Sequence, residues 1–239
     1  MEERTLNFHL TDRCNFHCKH CFINMEGREL SLNECKRVID AIYEMEKFTR
    51  INLAGGEPMM ARHLQDVINY VISRGFKCSL ITNGSYLTTD FIKNNKDKLS
   101  MIGISIDSMD DEVNKLIGRK TIIELYKLCD CIKQENIKLK INVCISKHNL
   151  NYDFTSFLER IRPDRLKLLQ IMPTPYLVRS SELLISSEEF NVACERLIQF
   201  GPICEDNDFM SGAYWIVDSE GYYGKDNLHL NPENKIKLI

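Results

Sequence analysis

The sequence predicts an α/β fold: an incomplete barrel of parallel strands wrapped by helices, followed by a helix and a β-hairpin. Three observations predict it. Strand-like and helix-like segments alternate through six strands, the rhythm a parallel sheet needs because each crossover returns the chain to the same sheet end. Apolar residues recur at every second position in the former and at helical spacing in the latter. Pro173 and Pro175 then end the rhythm, which sets off an extension.

Each element has a local reason. Residues 5–10 form the first strand, with Leu6, Phe8 and Leu10 on one face and Asn7, His9 and Thr11 on the other. The helix over 32–48 has Ser31 as N-cap and Glu34 three residues on, a capping box. A strand at 50–53, a helix at 63–73 and a strand at 76–82 follow. Thr88 or Thr89 caps a helix reaching residue 94. Strands at 101–106, 139–145 and 165–171 alternate with helices at 121–135 and 152–160. The extension holds a helix over 186–200 and a hairpin over 214–223, with Gly221 near its turn and Trp215 packing it onto the barrel. We expect one domain over 1–239, a partial (β/α)6 TIM-like barrel over 5–172, and an extension over 173–239 covering the substrate side.

Composition narrows the function. The 239 residues include 27% charged and 44% hydrophobic, which excludes a disordered or fibrous chain. No apolar run approaches the roughly 18 residues of a membrane span, and the acidic start Met1-Glu2-Glu3-Arg4 is unlike a signal peptide. A net charge of −3 argues against binding nucleic-acid polymers. Of ten cysteines, seven are scattered through apolar patterns and read as small buried hydrophobes.

Strand parity points to a chamber. Ile102, Ile104 and Ile106 oppose Gly103, Ser105 and Asp107. Leu139, Ile141, Val143 and Ile145 oppose Lys140, Asn142, Cys144 and Ser146. A barrel filled only for stability carries bulky aliphatics inside. Three strands with polar inner faces argue instead for a ligand site. Asp107 also reads as a cap for a following helix. Lys140, Arg165 and Lys167 on inner strand faces, with Arg119 after the fourth strand, concentrate cations in an acidic protein. That pattern suits a phosphate-rich ligand.

The other three cysteines, Cys14, Cys18 and Cys21, form a CxxxCxxC sequence at the rim where the first strand ends. Thiolates in this spacing suit zinc or an iron–sulfur cluster. His17 or His20 could complete a zinc site. Alternatively, three thiolates on a four-iron cluster leave one iron without a protein ligand.

This cluster, with Phe22 directly after it and Gly55-Gly56-Glu57-Pro58 at the end of the second strand, resembles the radical S-adenosylmethionine (SAM) superfamily. The resemblance implies a [4Fe-4S] cluster on Cys14, Cys18 and Cys21, and SAM held by Gly55, Gly56, Glu57, Asn83 and Ser105. It also implies a 5′-deoxyadenosyl radical that takes a hydrogen atom from substrate. Within the superfamily, Asn7 to Asn15, Ser105-Ile106-Asp107-Ser108, Asp111 to Asn114, Leu116 to Arg119, Lys140 to Val143 and Arg165 to Gln170 resemble the viperin family, the prokaryotic type included. That implies an antiviral lyase converting CTP, UTP or GTP to its 3′-deoxy-3′,4′-didehydro analogue. The implied nucleotide contacts are Asn7, Arg119, Lys140, Asn142 and Lys167, with Arg165 from the cation pattern and Lys235 in the tail; Tyr214 is the implied hydrogen or proton donor. A soluble, monomeric, cytoplasmic enzyme reduced by a flavodoxin or ferredoxin is expected. The rival readings are a radical SAM enzyme acting on a peptide or protein glycyl site, and a non-catalytic iron–sulfur or zinc module.

Overall fold

The computed structural model describes residues 4–173, 182–225 and 236–239. The elements run β1 (Thr5–His9), α1 (Leu32–Glu44), β2 (Arg50–Ala54), α2 (Leu64–Ser73), β3 (Lys77–Thr82), α3 (Thr89–Asn94), β4 (Leu99–Ser105), α4 (Asp111–Ile117), α5 (Leu125–Gln134), β5 (Lys138–Ile145), α6 (Thr155–Ile161) and β6 (Arg165–Gln170). Then come α7 (Ser187–Arg196), β7 (Ile203–Glu205), α8 (Asn207–Met210), β8 (Trp215–Val217), β9 (Tyr222–Lys225) and β10 (Ile236–Lys237). One sheet has the order β10-β9-β8-β1-β2-β3-β4-β5-β6-β7. Strands β1 to β6 are parallel neighbours in chain order, as the alternating pattern predicts.

The two faces separate as parity requires. Leu6, Phe8, Ile51, Leu53, Leu80, Ile102, Ile104, Leu139, Ile141, Leu166 and Leu168 are fully buried outside the barrel, beneath the helices. Val38, Ile39 and Ile42 of α1, Val67, Ile68 and Val71 of α2, and Leu128 and Ile132 of α5 meet them. Each such side chain contributes about 1.5–3 kcal/mol by leaving water. The Ser31–Glu34 capping box is present, and a second, Ser186–Glu189, starts α7.

Several boundaries differ from expectation. Helix α1 stops at Glu44 because the chain reverses at Glu46, with φ +49°, and this carries Phe48 edge-on to Trp215 and Tyr223. A helix absent from the sequence reading, α4, is capped by Asp110, not Asp107, which stays in the site. Thr121 is tied back to Asp111 and Asn114 of α4, so α5 begins only at Leu125. Helix α6 starts at Thr155, whose N–H bonds Asp153. The expected helix over 186–200 divides into α7 and a short 3-10 turn ending at Gly201, which has φ +58°.

The sheet also exceeds six strands plus a hairpin. Strand β7 extends it beyond β6, and β8 lies parallel to β1 with Leu6 opposite Trp215 and Phe8 opposite Val217. The hairpin of β8 and β9 turns at Gly221, and Trp215 stacks on Tyr223 with ring centroids 5.2 Å apart. Among the described residues no helix is long and apolar enough to cross a membrane.

Candidate active site

The loop carrying Cys14, Cys18 and Cys21 leaves β1 at the C-terminal rim, and all three thiols are free and half-buried. It is clamped on both flanks. On one side the Gly56 N–H donates to the Thr11 carbonyl (2.8 Å) and the Glu57 N–H to that of Arg13 (2.8 Å). The approach is so close that a Cβ on Gly56 would lie 2.4 Å from the Arg13 carbonyl oxygen. On the other side the Lys19 N–H donates to the Ile117 carbonyl at the end of α4 (2.8 Å), where Gly118 takes φ +82°. A Cβ on Gly118 would lie 2.3 Å from the His17 carbonyl oxygen. Gly56→Ala must therefore push the cysteine loop aside. We expect SAM cleavage about a hundredfold slower, measured as 5′-deoxyadenosine formed under dithionite; a wild-type rate would refute this packing argument.

Behind this clamp Glu57 is fully buried. Its carboxylate accepts from the Met59 N–H (3.0 Å), the Thr82 hydroxyl (2.7 Å) and the Asn83 N–H (2.7 Å), binding the end of β2 to the end of β3. Burial pushes its pKa up, and these three donors oppose the shift. The Asn83 amide donates to Asn15 Oδ1 (2.9 Å) and toward Cys14 Sγ (3.7 Å), while its Oδ1 accepts from Ser85. Asn83 thus reaches the cysteine loop through a network that includes Asn15 and Ser85.

Arg119 sits elsewhere than the other cations. Its guanidinium pairs with Asp107 (Nη1 to Oδ2, 2.7 Å), donates to the Ser105 carbonyl (2.7 Å), and lies over the Phe16 ring at 5.8 Å. It lowers the pKa of Cys14, Cys18 and Cys21 against the dominant effect of burial, so its charge acts on the cysteine loop.

Two of the remaining cations line the barrel interior. Lys140 and Lys167, 9% and 6% exposed, rise from β5 and β6. Lys167 pairs with Glu205 of β7 (2.6 Å) and donates to the Tyr214 hydroxyl. Lys140 has no acidic partner within bonding distance among the described residues. Burial first, then Lys167 and Arg165, bring its pKa down to about 7. Asn142 neighbours Lys167 in the sheet register, and its Oδ1 is buried without a donor. Gly103 shares this face; a Cβ there would lie 2.4 Å from Ile81 Cδ1 and 3.6 Å from both Lys140 Cβ and Asn142 Nδ2. Asn7 joins a ladder the sequence reading missed: Asn52 donates to Asn7 Oδ1 (2.8 Å) and Ser79 to Asn52 Oδ1 (2.8 Å). Alternation within β2 and β3 carried that signal. Arg165, at the first position of β6, is exposed, and Lys235 lies outside the described residues.

The donor set decides what metal suits the loop. Among the described residues no three His, Cys, Asp or Glu side chains converge on a single-ion site. Zinc needs four donors within 2.0–2.3 Å of one point. Three thiols in one loop instead fit a multinuclear iron–sulfur cluster. Residues 8–161 match the radical SAM superfamily. The chain belongs to that superfamily.

As a radical SAM protein it takes a [4Fe-4S] cluster and SAM, with Cys14, Cys18 and Cys21 as the fitting ligands. Its curated relatives include S-adenosylmethionine-dependent nucleotide dehydratases. That of Flammeovirga pacifica is 32% identical over 92% of this chain and 81% of the relative. That of a Thermoplasmatales archaeon is 30% identical over 94% of this chain and 83% of the relative. For that of Lacinutrix mariniflava identity is 33% over 92% of this chain, which spans half of that protein's length. Among solved structures, Streptococcus suis SuiB bound to SAM superposes with a TM-score of 0.76 at 13% identity, covering 98% of this chain and 63% of SuiB. The protein anSMEcpe with bound AdoMet and the Kp18Cys peptide gives 0.75 at 13%, over 98% of this chain and 77% of its own. At such identity these likenesses speak for the radical SAM fold alone.

Proposed function

We propose that this radical SAM protein is a nucleotide dehydratase that converts CTP, UTP or GTP to the 3′-deoxy-3′,4′-didehydro analogue, a chain terminator suited to antiviral defence. One observation carries the reading: two buried lysines, Lys140 and Lys167, face the interior of a barrel whose rim bears the cysteine loop, in a chain of net charge −3. Lys167 has Glu205 as its anionic partner, whereas Lys140 has no acidic partner within bonding distance among the described residues, and a triphosphate would supply one. The name shared by relatives near 30% identity supports the same substrate class.

The cluster and SAM together supply a 5′-deoxyadenosyl radical able to abstract a hydrogen atom. The chain's residues supply the rest. Lys140 and Lys167 hold phosphate oxygens, so binding energy becomes orientation of the ribose. Asn142 offers its unpartnered Oδ1 to a ligand hydroxyl. Tyr214, hydrogen-bonded to Lys167, is positioned to deliver a proton or hydrogen atom. Arg119, beside the cysteine loop, serves the SAM carboxylate in place of the nucleotide. Asn7 forms the floor through its Asn52 ladder, Arg165 adds charge from the outer edge, and Lys235, outside the described residues, keeps its assignment to the triphosphate from the resemblance alone. We place the enzyme in the cytoplasm as a monomer reduced by a flavodoxin or ferredoxin.

The test is anaerobic. Reconstituted protein, dithionite and SAM are mixed with each of ATP, CTP, GTP and UTP, and products are weighed by mass spectrometry. The expected result is a rise in 5′-deoxyadenosine with CTP, UTP or GTP, matched by a nucleotide product lighter by one water. SAM cleavage indifferent to every nucleotide would refute the reading.

A further inference from the structure

Asp107, two residues beyond β4, is 1% exposed. A buried carboxylate is tolerated only when charges and donors surround it, and here each donor comes from a different part of the site. Oδ2 takes Arg119 at 2.7 Å and His20 Nε2 at 3.2 Å. Oδ1 takes the Cys144 N–H of β5 at 2.9 Å, and the Asp107 carbonyl takes the Asn149 amide at 2.8 Å. Asn149 in turn donates to the Cys144 carbonyl at 2.8 Å, so the carboxylate rests on β5 from two sides.

What Asp107 joins is specific. His20 lies inside the cysteine loop, between Cys18 and Cys21. Arg119 follows Gly118, the residue packed on the loop's other flank. One carboxylate therefore couples both segments around Cys18. Of the five N–H donors of a guanidinium, one is engaged by Asp107 and one by the Ser105 carbonyl. No described residue accepts from the others. Asp107 neutralises much of the charge of Arg119, so orientation is what it chiefly contributes: it fixes the guanidinium plane, and a planar fork binds a carboxylate only in a defined plane.

We propose that Asp107 is a positioning residue for SAM, holding Arg119 in the plane that receives the SAM carboxylate. This rests on the reading that the barrel binds SAM at that loop. The test uses anaerobically reconstituted holoprotein and equilibrium binding of SAM without reductant, so turnover is not needed. Asp107→Asn is expected to retain iron and sulfide and to bind SAM about ten- to a hundredfold more weakly. Arg119→Lys is expected to lose a similar factor. The double variant is expected to lose no more than either alone, because both act through one guanidinium. Asp107→Glu, which restores the charge, is expected to recover part of the affinity.

Wild-type SAM affinity in Asp107→Asn, or additive losses in the double variant, would overturn the proposal. Loss of iron from both Asp107→Asn and Asp107→Glu would overturn it as well, by assigning the carboxylate to folding of the loop. A wild-type holoprotein that binds no SAM refutes the functional reading instead.

Discussion

Cys18→Ala is expected to give a colourless, folded protein that cleaves no SAM. The three thiols are the chain's fitting ligands for the cluster, and a four-iron cube already short of one protein ligand cannot hold on two. Burial pushes the Cys18 thiol up to about 12, against the opposing charge of Arg119. Without metal it is therefore protonated at neutral pH and inert. Iron must deprotonate it, so cluster assembly releases protons and weakens as pH falls. Cys129→Ala is the control: Cys129 is fully buried in α5 and packs in the core. It should cost stability while leaving iron content and SAM cleavage intact. Iron and sulfide assays, visible absorbance and 5′-deoxyadenosine yield decide the matter. Cys18→Ala that retains wild-type iron and cleavage would refute the ligand assignment.

How much of this site the sequence reveals depends on the range of the interaction. The cysteine spacing and Gly55-Gly56 are local, and the structure places them together as expected. The inner faces of β1, β4 and β5 follow from a period of two, so Asn7, Ser105, Lys140 and Asn142 were legible before any contact was known. Glu205 was not. Strand β7 is three residues long and follows Gly201-Pro202, too short to show alternation, yet it supplies the carboxylate that holds Lys167. Helix α4 carried a legible signal, with Asp110 as N-cap and Gly118 just past its end. Arg119 shows where local pattern runs out. Counted by sequence it joins the cations; placed in space it belongs to Asp107 and the cysteine loop, because a pairing twelve residues apart across a helix has no local signature. Strand β8 beside β1 is likewise a long-range closure that no local pattern encodes.

Lys140 yields the sharpest dependence on pH. Its pKa, brought down to about 7 by burial and by the charges of Lys167 and Arg165, leaves it about half protonated at neutrality. The ordinary value is 10.5, so between about 7 and 10.5 the unfolded chain binds the extra proton. This lysine therefore makes the ligand-free fold more stable as pH rises through that window. Nucleotide binding runs the other way. A triphosphate held by Lys140 would favour the ammonium form and draw a proton onto it, so the affinity would be fully present below pH 7 as far as this group is concerned. Above pH 7 the affinity should fall by up to about tenfold per unit, in a range where the last phosphate ionisation, near 6, is already complete. Lys140→Arg keeps its charge at every pH and should flatten the slope between pH 7 and 9. Lys140→Ala should keep its cluster and bind nucleotide about ten- to a hundredfold more weakly, the value of a charge-assisted hydrogen bond. Equilibrium dialysis of CTP, UTP and GTP against oxidised holoprotein measures all three. A wild-type affinity that stays level from pH 7 to 9, or a slope that persists in Lys140→Arg, would remove Lys140 from the phosphate site and leave Lys167 as its only buried cation among the described residues.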